Sequence, residues 1–132
     1  MTFRLFSHRH KLYTNSPFWP SNQRTWSEWA SYPDGAVLEL ICDSSGVLST
    51  EIHDKRDFAV EPWTGFYDCQ NKKIYLGDIL EFKVFELLHE VRWLNGEFIA
   101  HDLKNPNMLP MNVRTLRSHT IIGNIHNVEY CD

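Results

Sequence analysis

The sequence predicts an all-β chain, mainly strand with one or two short helices. Three observations lead there. Leu80, Phe82 and Val84 alternate with Glu81 and Lys83, the period of a half-buried strand. Asn95-Gly96, the preferred two-residue hairpin turn, separates Val91–Leu94 from Glu97–Ala100. Short apolar runs broken by turn signals recur along the chain, as in antiparallel barrels and sandwiches. The expected architecture is a small antiparallel barrel-like half over 61–132. The strands of an N-terminal lobe, 1–60, pack on it, as two lobes or as one cooperative domain.

In chain order, Phe3 to Tyr13 reads as a hairpin whose polar turn spans Ser7 to Lys11. Pro17 and Pro20 bracket Phe18-Trp19 in an extended loop. Ser21 or Asn22 then caps an expected short helix, with Trp26, Trp29 and Ala30 on one face at helical spacing. Tyr32-Pro33-Asp34-Gly35 is a turn. Ala36 to Cys42 is a strand, Asp43 to Gly46 a turn, and Val47 to His53 the returning strand. Asp54 to Asp57 is a charged loop. Ile74 to Phe85 reads as a long strand bent at Gly77-Asp78, and Asn105 to Asn107 as a loop. Ile121 to Ile125 closes the chain as a strand.

Bulk properties narrow the function. The 132 residues suffice for one ordinary core, and five Trp with eight Phe supply it. A net charge of −4 from 17 acidic and 13 basic residues is mildly acidic, whereas proteins that track phosphates carry a basic excess. Three cysteines without C-x-x-C spacing argue against a disulfide framework or a zinc knuckle. Met1 to Phe6 has no apolar signal region, and the apolar stretch from Ile79 to Leu88 is too short to span a bilayer. The expectation is a cytoplasmic protein without a membrane partner.

Three segments then carry a resemblance. Phe3-Arg4-Leu5-Phe6 is followed by Lys11-Leu12-Tyr13. Thr64-Gly65 leads through Asp68 to Ile74-Tyr75 and Gly77-Asp78, in the pattern TGxxDxxxxxIYxGD. Ile121-Ile122-Gly123-Asn124-Ile125 closes the chain. Together they resemble the YopX family of phage and prophage proteins. The chain has Phe6 where that family more often has Trp, and Asn71 where it often has Gly. Residues 14 to 56 match no motif. The resemblance implies an accessory protein of uncharacterised role.

The residues of the signature also have a physical reading. Thr64, Gly65, Asp68, Ile74, Tyr75, Gly77, Asp78, Gly123 and Asn124 can be explained as strands, a turn and a bend. Gly permits positive φ, and Thr and Asp side chains bond nearby backbone N–H groups. The functional alternative is that Asp68, Tyr75 and Asp78 converge on a ligand.

No catalytic constellation is legible: no nucleophile elbow, no P-loop, no dinucleotide fingerprint. His8 and His10 could chelate from one strand face, but the other histidines are scattered. No metal or cofactor is therefore expected. Arg114, Arg117 and His119 form one basic cluster, and Arg4 with His8 to Lys11 another; either could contact nucleic acid. Phe18, Trp19, Trp26 and Trp29 crowd one stretch, which suggests a homo-oligomer contact over 17–32. The expected function is a non-enzymatic, self-associating protein-binding module. A nucleic-acid-binding module is the first alternative. A small enzyme with an unrecognised acid–base site is the second.

Overall fold

The computed structural model describes residues 3–20, 24–105, 107, 109–113 and 118–130, and the side chains at 24–27 fall outside it. Its described elements are strands in three antiparallel sheets, plus one 3-10 turn at Lys83–Phe85. The all-β expectation holds. The chain divides into two compact units, Leu5–Val60 and Met1–Arg4 with Glu61–Asp132.

In the first unit, the end of β1 (Phe3–Ser7) pairs with β2 (Leu12–Tyr13) through Phe6 and Tyr13. A three-stranded sheet follows, ordered β3 (Arg24–Ser31), β4 (Val37–Asp43), β5 (Leu48–His53). The turn between β3 and β4 closes with Gly35 N–H donating to Tyr32 O at 2.9 Å. The β4–β5 turn is clasped by Asp43, whose Oδ1 accepts the N–H groups of Ser45 and Val47, each at 2.9 Å.

Here one expectation is corrected. The helix expected after Ser21 or Asn22 is strand β3, paired with β4 from Arg24 to Ser31. The candidate caps lie outside the described residues. Trp26, Trp29 and Ala30 share a face only at 3.6 residues per turn; in a strand, alternation separates positions 26 and 29. Two tryptophans and a threonine also suit a strand better than a helix, and β4 supplies the ladder partner.

In the second unit, β6 (Phe58–Tyr67) pairs with β7 (Lys73–Tyr75). A four-stranded sheet has the order β2-β1-β6-β7, and the division between the units passes through β1 and β6. A half-barrel sheet is ordered β11 (Met111–Asn112), β10 (Glu97–Asp102), β9 (Leu87–Leu94), β8 (Asp78–Phe82), β12 (Thr120–Asn124). Its core is Ile74, Leu80, Val91, Ala100 and Val113, with Phe66, Phe98 and Ile121 packed against them. The Asn95-Gly96 turn is as expected: φ is 51° and 81°, and Leu94 faces Glu97. The long strand expected from Ile74 to Phe85 is shorter. It breaks at Leu76-Gly77 and ends at Phe82, where Lys83–Phe85 turns and leaves Val84 76% exposed. Glu86 in the left-handed region ends that turn.

Candidate functional site

The signature residues gather around a buried arginine. Arg4 lies in β1 between apolar neighbours, and burial of the strand takes its guanidinium out of water. Its Nε donates to Glu61 Oε1 at 2.8 Å, and its Nη1 is 2.8 Å from Asp78 Oδ1. Nη2 donates to the Leu76 carbonyl at 3.3 Å. The rings of Tyr75 and Tyr130 each lie 4.9 Å from the guanidinium carbon, a cation–π arrangement worth more when desolvated. His126 Nε2 sits 2.6 Å from Glu61 Oε2. A cation between two carboxylates, with aromatic faces beside it, is how a buried charge is compensated.

Asp78 is the most perturbed member. Burial pushes its carboxyl up to about 6, against the pull of Arg4 and of the Tyr75 N–H, which donates to its Oδ2 at 2.8 Å. Such a value can mark an acid–base group. Here both oxygens are engaged, one by the arginine and one by the backbone of the preceding strand, so Asp78 acts as a clamp between β7 and β8. Gly77 stands beside it at φ +89°, where a Cβ would lie 3.1 Å from Glu61 Oε2 and 3.3 Å from Ile125 Cγ1. A cavity of about 1020 Å³ opens over this cluster, lined among others by Arg4, Lys72, Lys73, Asp78, Asn124 and Tyr130.

The other signature residues hold turns. Asp68 Oδ1 accepts the N–H groups of Gln70 and Lys72, each at 2.9 Å, and its Oδ2 accepts that of Ile121 at 3.1 Å. Asn71, at φ 63°, takes the left-handed position inside that turn. Thr64 Oγ1 donates to Ile74 O at 2.8 Å and accepts Phe66 N–H at 3.2 Å. Gly65, at φ 90°, lies where the β6–β7 register shifts. Ile74 is core. Gly123 follows the bulge in β12, and Asn124 bonds Val128 O and the His126 N–H. Tyr75 and Asp78 thus meet at Arg4. Asp68 ties the 68–72 turn to the backbone of Ile121.

Of the expected basic cluster, Arg114 and Arg117 lie outside the described residues. His119 is buried, stacked on Phe82 with ring centroids 5.1 Å apart, and near His89 at 5.4 Å. Burial, then His89, depresses its basicity. A buried neutral imidazole offers no cation to a phosphate. Trp29 packs inside the first unit against Trp19, Phe58 and His53, and the side chain of Trp26 lies outside the described residues. Phe18 is 77% exposed.

Sequence reasoning grouped Arg4 with the exposed His8 to Lys11 and so missed its burial. The available signal was its place inside Phe3-Arg4-Leu5-Phe6. Glu61 and His126 carry no local signal, because the pairing of β6 with β1 brings Glu61 to Arg4 and the turn after β12 brings His126 to Glu61.

A family model described as YopX protein matches residues 3–128. The chain belongs to the YopX family. The fold of this YopX protein is also similar to the crystal structure of protein EF1440 from Enterococcus faecalis. That likeness has a TM-score of 0.52 at 20% identity, over 95% of this chain and 92% of the other. Identity at that level speaks for the fold alone. No curated protein matches.

Proposed function

We propose that this YopX protein is a non-enzymatic protein-binding module that self-associates through the outer face and the β5 edge of its three-stranded sheet. One observation carries the reading: that sheet turns apolar side chains outward on β4 and β5. Cross-strand pairs put Leu38 beside Ile52, Leu40 beside Thr50 and Cys42 beside Leu48 on one face. On that face Leu48 is 59% and Ile52 67% exposed. The opposite face carries Val37, Glu39 and Ile41 of β4 with Ser49, Glu51 and His53 of β5, and there Val37 and Glu39 are buried. A solvated outer face normally carries the polar residues, and apolar surface turned outward marks interaction sites.

The edge supports the same reading. Exposed edges are normally blunted by Lys, Pro, bulges or short length. β5 runs six residues in unbroken register with β4 and contains neither Lys nor Pro. By contrast, β3 and β12 each carry a register shift, and β11 and β2 are two residues long. A second copy adding its own β5 antiparallel about Thr50 sets Leu48 against Ile52 of the partner subunit and opposes no like charges. Each such side chain fully covered contributes about 1.5–3 kcal/mol. The interface thereby moves from the expected 17–32 stretch, where Trp19 and Trp29 already cover their own unit, to β4 and β5.

Light scattering after size exclusion, at micromolar concentration, tests this. The expected mass is a multiple of one chain, falling to one chain on Ile52→Lys with the β signature retained. A single-chain mass for the unaltered protein, or an assembly that survives both Ile52→Lys and Leu48→Lys, defeats the proposal.

A further inference from the structure

The inner face of the same sheet holds a group of donors that self-association does not use. Glu39 and Glu51 sit directly opposite each other on β4 and β5, and His53 lies one pleat further along β5. One donor atom from each of the three comes within 4.8 Å of the others. His53 Nε2 is 3.1 Å from Glu39 Oε1.

We propose that Glu39, Glu51 and His53 form a binding site for a divalent transition-metal ion, with Zn²⁺ as the best match. Two carboxylate oxygens and one imidazole nitrogen are the donor types of three-ligand zinc sites, which keep a further position open. Donors held at about 2.1 Å from one ion are separated by roughly 3.0–3.4 Å at tetrahedral or octahedral angles, and the Glu39–His53 distance lies within that range. The ion takes the Nε2 lone pair of the His53 tautomer that carries its proton on Nδ1, and displaces the His53–Glu39 hydrogen bond.

The placement of the carboxylates gives the second argument. Like charges directly opposite on paired strands oppose sheet formation. Burying a carboxylate such as Glu39 adds a desolvation cost. Both carboxylates already have partners in the fold, and a dication between them would lower these two costs further. The imidazole is held in place by Trp29 and Phe58, whose ring centroids lie 5.7 Å and 5.2 Å from that of His53. A cavity of about 450 Å³ opens beside His53, lined also by Asp34, Asp54 and Lys55. The sequence offered no sign of this group, because its members are twelve and two residues apart and only the β4–β5 register brings them together.

Isothermal titration of the chelator-stripped full chain with ZnCl₂ reads the binding directly. The expected result is one saturable ion per chain and a Tm that rises with Zn²⁺ and returns with EDTA. Glu51→Gln and His53→Ala should each weaken binding by at least roughly tenfold, the loss that even changes behind the ligands cause. Glu51 is exposed, so Glu51→Gln keeps the fold, which circular dichroism checks. A His8→Ala/His10→Ala double variant removes the exposed pair on the β1–β2 turn and should bind as before. No saturable binding, undiminished affinity in both Glu51→Gln and His53→Ala, or loss of binding in the double variant each overturns the proposal. The site needs one copy only, so a monomeric protein that binds Zn²⁺ separates it from the self-association reading.

Discussion

At the scale of single residues, the chain hides its charges in unequal ways. Arg4 is buried with two carboxylates and two tyrosines around it. Among the described residues, neither ring nitrogen of the buried His119 has a hydrogen-bond partner, nor has Nδ1 of its neighbour His89. Burial pulls both imidazoles below their ordinary 6.5. A histidine depressed in the folded state adds stability above its unfolded value, and that stability is lost as pH falls. Asp78 acts in the opposite sense. Raised from 3.8 to about 6, it costs stability at neutral pH and recovers it as pH falls through 6. The two effects oppose each other below neutrality, so a variant is needed to part them. Phe is flat and carries no proton, and it fits the stack on Phe82. His119→Phe should keep its Tm at neutral pH and lose less Tm than the unaltered protein between about pH 7 and pH 5. Equal slopes for the two proteins over that interval would refute the histidine account.

At the scale of elements, the turn chemistry was legible and the strand faces only in part. Asn95-Gly96 is readable because a two-residue hairpin demands positive φ twice. Asp43 and Asp68 are readable because a carboxylate before a polar turn accepts its N–H groups. The stretch Arg24 to Ser31 misleads, because aromatic spacing of three fits a helix face equally well when no partner strand is visible. Gly77 links β7 to β8 and shows how an element boundary becomes a stability determinant. Its positive φ is strained for any L side chain, and Glu61 and Ile125 fill the space a Cβ would need. Gly77→Val should cost on the order of 1–3 kcal/mol, read as a drop in Tm of several degrees in thermal melts followed by circular dichroism. A variant that melts with the unaltered protein would mean that the backbone there relaxes without cost.

At the scale of the whole molecule, each unit carries its own core material. The half-barrel unit has the Ile74–Val113 cluster, and the other has the aromatic group of Trp19, Trp29, His53 and Phe58. No helix among the described residues is long and apolar enough to cross a membrane. If β5 closes an interface between copies, assembly and folding are linked by mass action. The Tm of the unaltered protein should then rise with protein concentration, while that of Ile52→Lys stays constant. A melting temperature that is independent of concentration in both would show that the outer face of β4 and β5 is solvated as it stands.

The sequence by itself determined the family, through Thr64-Gly65, Ile74-Tyr75 and Gly77-Asp78, and the all-β class. Both rest on short-range physics: glycine's freedom at positive φ, carboxylates that cap turns, and alternation along a strand. Only the tertiary structure decided which charges are buried and with what. Arg4 finds Glu61 and Asp78 across fifty-seven and seventy-four residues, and Glu39 meets Glu51 and His53 across a hairpin. Those encounters depend on pairing register, which shifts by a single residue at a bulge such as Ile121/Gly123. A one-residue slip sends every later side chain to the other face, so no local pattern could have assigned them.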